Sequence, residues 1–152
     1  MASGQTNRGV YLLYNYVFRR ATMPTNFYVA LCTSATQPTV DTNTLSELTE
    51  IAAGNGYTTG GYQLTPNATD FDVLTEDDTS NLAKIQVKDV AWTASGGTLP
   101  ASGNGARWAV LTDDNATVGS RQVFAWWDLV SDRSVSSGQP LTLQDGELRA
   151  TN

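Results

Sequence analysis

The densest group of acidic side chains in this chain lies between residues 70 and 78. Two carboxylates at a suitable separation can hydrolyse a glycosidic bond, and carboxylate oxygens are the ligands that Ca²⁺ prefers. The surrounding pattern predicts a polar loop over 66–81, in which acids are solvated and their pKa values are not tuned. We therefore expect neither a catalytic carboxylate nor a metal ligand from these acids: Asp70, Asp72, Glu76, Asp77 and Asp78.

Histidine is absent from the sequence, and Cys32 is its one cysteine. Without histidine, Ser-His-Asp and Cys-His nucleophile systems and nearly all zinc sites are excluded. A single cysteine forms no internal disulfide. The net charge of −6 leaves no basic footprint for a phosphate backbone. We expect a protein that is not an enzyme, with no cofactor, no metal and no nucleic-acid partner.

Four tryptophans could stack on sugar rings, although such residues more often lie in a core or a subunit interface. Trp126 and Trp127 are adjacent on a predicted strand, so their side chains point to opposite faces. We expect one of them in the core and the other under the helix or against a partner chain, and both are candidate interface residues.

The length of 152 residues and the hydrophobic content of 40% fit one folded domain spanning 1–152. The longest apolar runs have five residues, such as 123–127, whereas a bilayer span needs about twenty. We expect no membrane segment and no signal peptide.

One helix is predicted near the N-terminus. Residues 1–6 are small and polar and predict a flexible arm, and residues 7–21 predict a helix that Thr6 or Asn7 caps and Pro24 closes. Five apolar residues at i, i+3, i+4, i+7 and i+8 form one stripe. The stripe packs either on the chain's own sheet, which we favour, or on a partner chain, and its members are candidate interface residues: Val10, Leu13, Tyr14, Val17 and Phe18.

The rest of the chain, residues 26–152, predicts strands and turns. The 21 threonines favour a pleated, half-buried surface. Residues 26–33 are apolar on both faces, which is typical of a central strand and makes Cys32 a buried thiol. A long loop is expected over 34–56, with a short strand near 45–51. A strand with a kink at Gly60–Gly61 is expected over 57–64.

Later segments continue this pattern. The apolar parity of 83–92 changes, and a bulge near Lys88–Asp89 would keep one face in the core. Strands are expected over 106–112 and 122–130. Asp145-Gly146 predicts a hairpin between 140–144 and 147–151. With no helices for parallel crossovers, the sequence predicts a mainly β fold: an antiparallel β-sandwich with one short amphipathic N-terminal helix.

The order of these pieces resembles that of small virion structural proteins of tailed bacteriophages. The segments that carry the resemblance include "YVALCTSATQP", "GNGYTTGGYQL", "VFAWWDL" and "DGELRAT". They cover most of the chain, in this order: residues 10–20, 28–38, 54–64, 123–129, 134–143 and 145–151. Residues 65–82 and 96–106 depart from the pattern by being longer and more acidic or more glycine-rich.

The resemblance implies a jelly-roll-type sandwich and, for several members, a capsid cement or decoration role. Such a protein is expected to bind the major capsid protein shell from outside and to be made in the host cytoplasm. Separately from the resemblance, the fully apolar strand and the apolar helix stripe provide more hydrophobic surface than one small sheet face needs, so we expect self-association as a dimer or a trimer. Other members are tail-associated, so the alternative is a tail- or fibre-associated virion protein that binds a host glycan.

Overall fold

The chain is mainly β, with antiparallel sheets and one α-helix near the N-terminus, as the sequence predicts. A computed structural model describes residues 3–151, in which the helix is α1 (Asn7–Arg19). The strands follow in this order: β1 (Ser3–Gln5), β2 (Phe27–Cys32), β3 (Tyr62–Leu64), β4 (Val73–Asp77), β5 (Leu82–Val87), β6 (Val90–Thr93), β7 (Ala106–Thr112), β8 (Val123–Arg133), β9 (Pro140–Leu143) and β10 (Gly146–Thr151).

Five strands form the core sheet, in the order β1-β8-β7-β2-β3. Every neighbouring pair in it is antiparallel, and Val29 of β2 lies opposite Leu111 of β7 and Tyr62 of β3. The prediction of a strand buried on both faces is confirmed, since Val29 to Cys32 are fully buried. The bounds predicted for β7 are confirmed too.

Both faces of the core sheet are covered. The larger hydrophobic cluster lies between this sheet, the second strand layer and α1, and a smaller one lies on the opposite face. That opposite face is covered by the loop after β2, where Leu45–Glu47 form a 3-10 turn instead of the expected strand. The Glu47 carboxylate accepts the backbone N–H groups of Asn43 and Thr44, which closes this turn.

The second layer consists of a small sheet, β10-β5-β4, and a two-stranded sheet, β6-β9. Val87 lies opposite Gly146 and Val90 lies opposite Leu143, with two residues between on each side. Strand β5 therefore pairs with β10 and strand β6 with β9. Together they form one antiparallel ribbon that keeps its register through a corner. The change in parity at Lys88–Asp89 is such a corner rather than a bulge, and it keeps Val87, Val90 and Trp92 buried.

The predicted hairpin at Asp145-Gly146 is wrong, because β9 and β10 pair with β6 and β5 and not with each other. Asp145 does adopt a left-handed conformation (φ 51°), so the turn signal is real. It bends one strand of the ribbon, and the Asp145 N–H is held by the Asp89 carboxylate of the other strand.

The predicted flexible arm is wrong over residues 3–6, and residues 1 and 2 lie outside the described part. Strand β1 pairs with β8, with Ser3 opposite Trp127, and Thr6 is fully buried. Helix α1 begins where predicted and ends at Arg19, two residues early, because Arg20 takes a left-handed conformation with φ 53°.

Two further segments differ from the sequence prediction. Residues 66–81, expected to be a loop, contain β4, whose residues pair with β5. The strand expected over 57–64 is reduced to β3, because Gly60 and Gly61 have φ values of 88° and 85° that do not continue a strand.

Candidate interaction surface

Helix α1 is fixed to β8 of the core sheet at its first turn. The Thr6 side chain accepts the Gly9 N–H at 2.8 Å and caps the helix, as predicted. Its hydroxyl donates to the Val123 carbonyl, and its own N–H donates to the Phe124 carbonyl at 3.0 Å. These contacts set the direction in which the helix leaves β8.

Gly9 decides which side of α1 faces the sheet. A Cβ at this position would lie 2.6 Å from the Phe124 carbonyl oxygen and 2.7 Å from its Cα, so only glycine allows this close approach. Leu12, three residues on, is buried on the same side of the helix, and Tyr16 packs partly against the core. The packed side of α1 therefore runs through positions 9, 12 and 16.

The predicted apolar stripe lies largely outside this contact. Val10 is half-buried, and the exposed fractions of the other four side chains are 44% for Leu13, 62% for Tyr14, 69% for Val17 and 78% for Phe18. The expectation that the stripe packs on the chain's own sheet is wrong for these four. The reason is the rotation that Gly9 imposes on the helix, which turns the stripe outward.

An apolar groove of about 410 Å³ lies beside this exposed side. One bank is α1, through Leu13, and the other is the small sheet. The floor is aromatic: Phe27 packs edge-on against Phe71 and Phe124, with ring centroids 5.7 and 5.4 Å away. The lining residues of the small sheet come from its three strands: Leu74, Ile85 and Leu148.

The groove continues onto an open face of the small sheet. Leu74, Ile85 and Leu148 form one cross-strand row that faces the groove. The next row on the same face, two residues along each strand, is exposed. It consists of Glu76, Ala83 and Ala150, and the two alanines leave it shallow. We call the exposed side of α1, the groove and this row the helix–groove surface.

The two banks of this surface carry opposite charge. Residues 7–20 hold three arginines, Arg8, Arg19 and Arg20, and no acid. The rest of the chain then has six basic residues against 15 acidic ones, a net charge of −9. On the edge strand β4, Glu76 follows Leu74 on the groove-facing side, and Asp72 lies directly before the strand; both acids are exposed.

Sequence reasoning named the residues of α1 as interface candidates while favouring their packing on the chain's own sheet, and it missed the second bank. The sequence does contain the alternation typical of a strand, because apolar Leu74 lies two residues after Asp72 and two residues before Glu76. The density of acids in 70–78 obscured this alternation and suggested a loop.

The tryptophans contribute little to this surface. Trp127 is 1% exposed, and its Nε1 donates to the Glu147 carbonyl at 2.9 Å, so it is the member of the pair that lies in the core, as expected, and it is not available as an interface residue. Trp126, on the opposite face, is half-buried and lies against Gly4 of β1. Trp92 and Trp108 are buried, so sugar rings could stack on these residues only if the fold opened.

The acids of 70–78 do not converge into a site. Asp70 is buried and contacts Lys88 at 2.6 Å and the Thr65 N–H at 2.7 Å. The hydrogen bond from Lys88, followed by that from Thr65, lowers the pKa of Asp70, whereas a general acid needs a raised pKa. Within residues 3–151, no three His, Cys, Asp or Glu side chains group so as to hold a metal ion.

The thiol of Cys32 is also inaccessible to solvent. Cys32 is fully buried in the smaller cluster, and this burial raises the pKa of its thiol well above the usual range. The thiol is therefore protonated and out of contact with solvent, as a packing residue would be.

No helix in the described part of the chain has the length and hydropathy that crossing a bilayer requires. No protein-family model matches the sequence, and neither a curated protein nor a solved structure matches it.

Proposed function

We propose that this chain is a non-enzymatic virion structural protein of a tailed bacteriophage, a capsid cement protein that binds and stabilises the shell of the major capsid protein. Two lines of support meet here. The order of sequence segments resembles that of small phage virion proteins, and the folded chain presents a large apolar surface beside its N-terminal helix.

The observation that carries the proposal is the exposure of Tyr14, Val17 and Phe18 beside an apolar groove. Soluble monomers rarely leave a contiguous patch of this kind in water, and such patches mark sites where other proteins bind. The patch is mounted on a rigid frame, since the helix is capped and pinned to β8. A preformed surface loses little conformational entropy on binding.

The mechanism of a cement protein needs binding and no chemistry. A copy that contacts two neighbouring capsid subunits must be released before they separate, so its binding free energy adds to the stability of the intact shell. Many copies on one shell act together, because contacts made to an already bound particle benefit from a high effective concentration. The protein would act on the capsid exterior after synthesis in the host cytoplasm.

The experiment mixes the purified chain with undecorated capsids of its phage and measures co-sedimentation across a concentration series. We expect saturation at a fixed ratio to capsid protein and a higher temperature of capsid disruption. Phe18→Asp should weaken binding at least tenfold, because it places a charge in the apolar patch. Ser136→Asp adds the same charge at an exposed turn after β8 and should bind like the wild type.

Absence of co-sedimentation at high concentration would overturn the cement role. Binding to purified tails or fibres, with none to capsids, would favour the tail-associated alternative. Saturable quenching of tryptophan fluorescence by a soluble host glycan would favour the glycan-binding form of that alternative.

A further inference from the structure

We infer that the helix–groove surface joins two copies of this chain in a symmetric dimer, in which α1 of each copy lies on the groove and small sheet of the other. The inference gives the partner of this surface in free solution, which the capsid protein replaces when the chain binds the shell, and it rests on the proposed function only in taking that surface as one that binds protein.

The arrangement of the surface is self-complementary. One bank of the groove is a basic helix and the other is a sheet with an acidic edge strand. A two-fold axis parallel to the groove places α1 of one copy opposite the small sheet of the other, and the reverse contact follows by symmetry. Each helix then faces a small sheet, and both contacts are identical.

Charge selects this axis over the other two-fold arrangement. With the axis across the groove, the two helices would face each other, and Arg19 and Arg20 would meet arginines of the second copy. With the axis along the groove, these arginines approach the edge strand β4, which contains Glu76 and is directly preceded by Asp72. Like charges across an interface are disfavoured and opposite charges fix its register, so the second geometry is favoured.

Shape agrees with charge. The exposed row of the small sheet has alanines at 83 and 150, and these leave room for bulky side chains from a facing helix. The rings of Tyr14 and Phe18 are 6.1 Å apart on the helix and project from its exposed side. They would cover the alanine row while Val17 lies over the groove, which satisfies two unpartnered apolar faces at once.

The available area is sufficient for a specific dimer. Aromatic side chains bury roughly 150–250 Å² each and Leu and Val somewhat less, so the exposed parts of five side chains amount to on the order of 600 Å² per copy: Leu13, Tyr14, Val17, Phe18 and Leu74. Two copies together would bury about 1,200 Å², before any contribution from the charged rim, and a biological interface needs about 1,000 Å².

Charge reversal tests the geometry. The variants are Arg19→Glu with Arg20→Glu, Asp72→Arg with Glu76→Arg, and all four changes together, each measured by sedimentation equilibrium at low salt. We expect the wild type to sediment at twice the monomer mass of 16.3 kDa. Each double variant should raise the dimer Kd about tenfold to a hundredfold, and the quadruple variant should restore it, because its helix and edge have exchanged signs.

The two double variants control for net charge. From the wild-type value of −6, the arginine reversal gives −10 and the acid reversal gives −2. If overall repulsion governed association, the acid reversal would strengthen the dimer, whereas the inferred contact predicts that it weakens it. Ser136→Asp should leave the Kd unchanged, and Phe18→Asp should raise it strongly while the far-UV circular dichroism remains that of the wild type.

Several results would overturn the inference: a monomer at every concentration, a fixed assembly larger than two, double variants that dimerise like the wild type, or a quadruple variant that stays monomeric. The capsid experiment separates this from the proposed function. A dimer that ignores capsids contradicts the cement role alone, and a monomer that binds capsids contradicts the dimer alone.

Discussion

Asp70 links three parts of the chain at a single carboxylate. It accepts hydrogen bonds from the Thr65 N–H and from Lys88, which stands at the corner of the ribbon, and its backbone carbonyl accepts the Lys88 N–H at 3.0 Å. The acid therefore fastens the segment before β4 to the corner, and its role is structural.

Replacing Asp70 with asparagine should destabilise the fold at neutral pH by about 1–3 kcal/mol, because hydrogen bonds to a charged group are lost. The pKa of Asp70 is lower in the folded chain than the unfolded value of about 3.9. Its contribution is thus complete above that pH and is lost as pH falls through the lower folded value. Urea unfolding between pH 7 and pH 2.5 measures this.

The control for this change is Asp78→Asn, which alters an exposed acid of the same segment. We expect Asp78→Asn to follow the wild-type curve and Asp70→Asn to converge with it at acid pH. If both variants remain parallel to the wild type across the whole range, the carboxylate of Asp70 does not stabilise the fold through its charge.

At the scale of elements, α1 shows how one residue sets the orientation of a helix. The hydrophobic periodicity predicts a helix over 7–21, and the observed ends of α1 lie within two residues of that range. Periodicity did not reveal which side would be buried, because the packed side is chosen by the backbone contact between Gly9 and Phe124. That contact depends on a missing side chain, which hydropathy does not register.

Gly9→Ala should lower the free energy of unfolding by about 1–3 kcal/mol, since the new methyl group would press on backbone atoms that cannot move aside. Helix propensity alone predicts the opposite, a gain of about 1 kcal/mol. Chemical denaturation decides between these signs.

Asn15→Ala, in the same helix, changes propensity without that clash and serves as the control; it should be neutral or slightly stabilising. A stabilising effect of Gly9→Ala would show that α1 is not held against β8 as closely as the structure has it.

Local turn chemistry misled the prediction of strand pairing in a similar way. Asp145-Gly146 has the composition of a hairpin turn and does bend the chain. The flanking strands nevertheless pair with β5 and β6, because that pairing sets Leu141, Leu143 and Leu148 against the core. A turn signal reports the local conformation, and burial over a longer range decides which strands meet.

At the scale of the whole molecule, the two layers interlock where the ribbon turns. A Cβ on Gly146 would lie 2.7 Å from Val87 Cγ2, 3.3 Å from Leu143 Cδ2 and 3.4 Å from the Trp127 ring. These three buried residues come from the small sheet, the two-stranded sheet and the core sheet. The glycine therefore sits where all three sheets converge.

Gly146→Ala should destabilise the chain by about 1–3 kcal/mol through overpacking at this point. Gly119→Ala is the matched control, because its Cβ would make one ordinary contact, 3.4 Å from Ser46. Thermal and urea unfolding of both variants provide the test, and equal stability of the two would contradict tight packing at the convergence.

The overall class was accessible from the sequence, because two-face burial of β2, the bounds of β7 and the parity change at 88–89 all carry direct signals in residue order. The interaction surface was accessible only in part. Its helical bank appears in the sequence as an apolar stripe. Its acidic bank exists only because β4 pairs with β5, and the groove is open to solvent only because α1 leaves part of the core sheet uncovered. Both depend on tertiary packing.

The constant register of the ribbon through its corner places the same constraint on insertions and deletions at two sites that are distant in the sequence. Because residues on the two strands stay matched on either side of Lys88–Asp89 and Gln144–Asp145, a residue inserted at one corner alone would either bulge out of the ribbon or shift the pairs beyond the corner by one and turn the core leucines outward. A matching insertion at the other corner, more than fifty residues away in the sequence, would restore the register, so we expect length changes at the two corners to be paired.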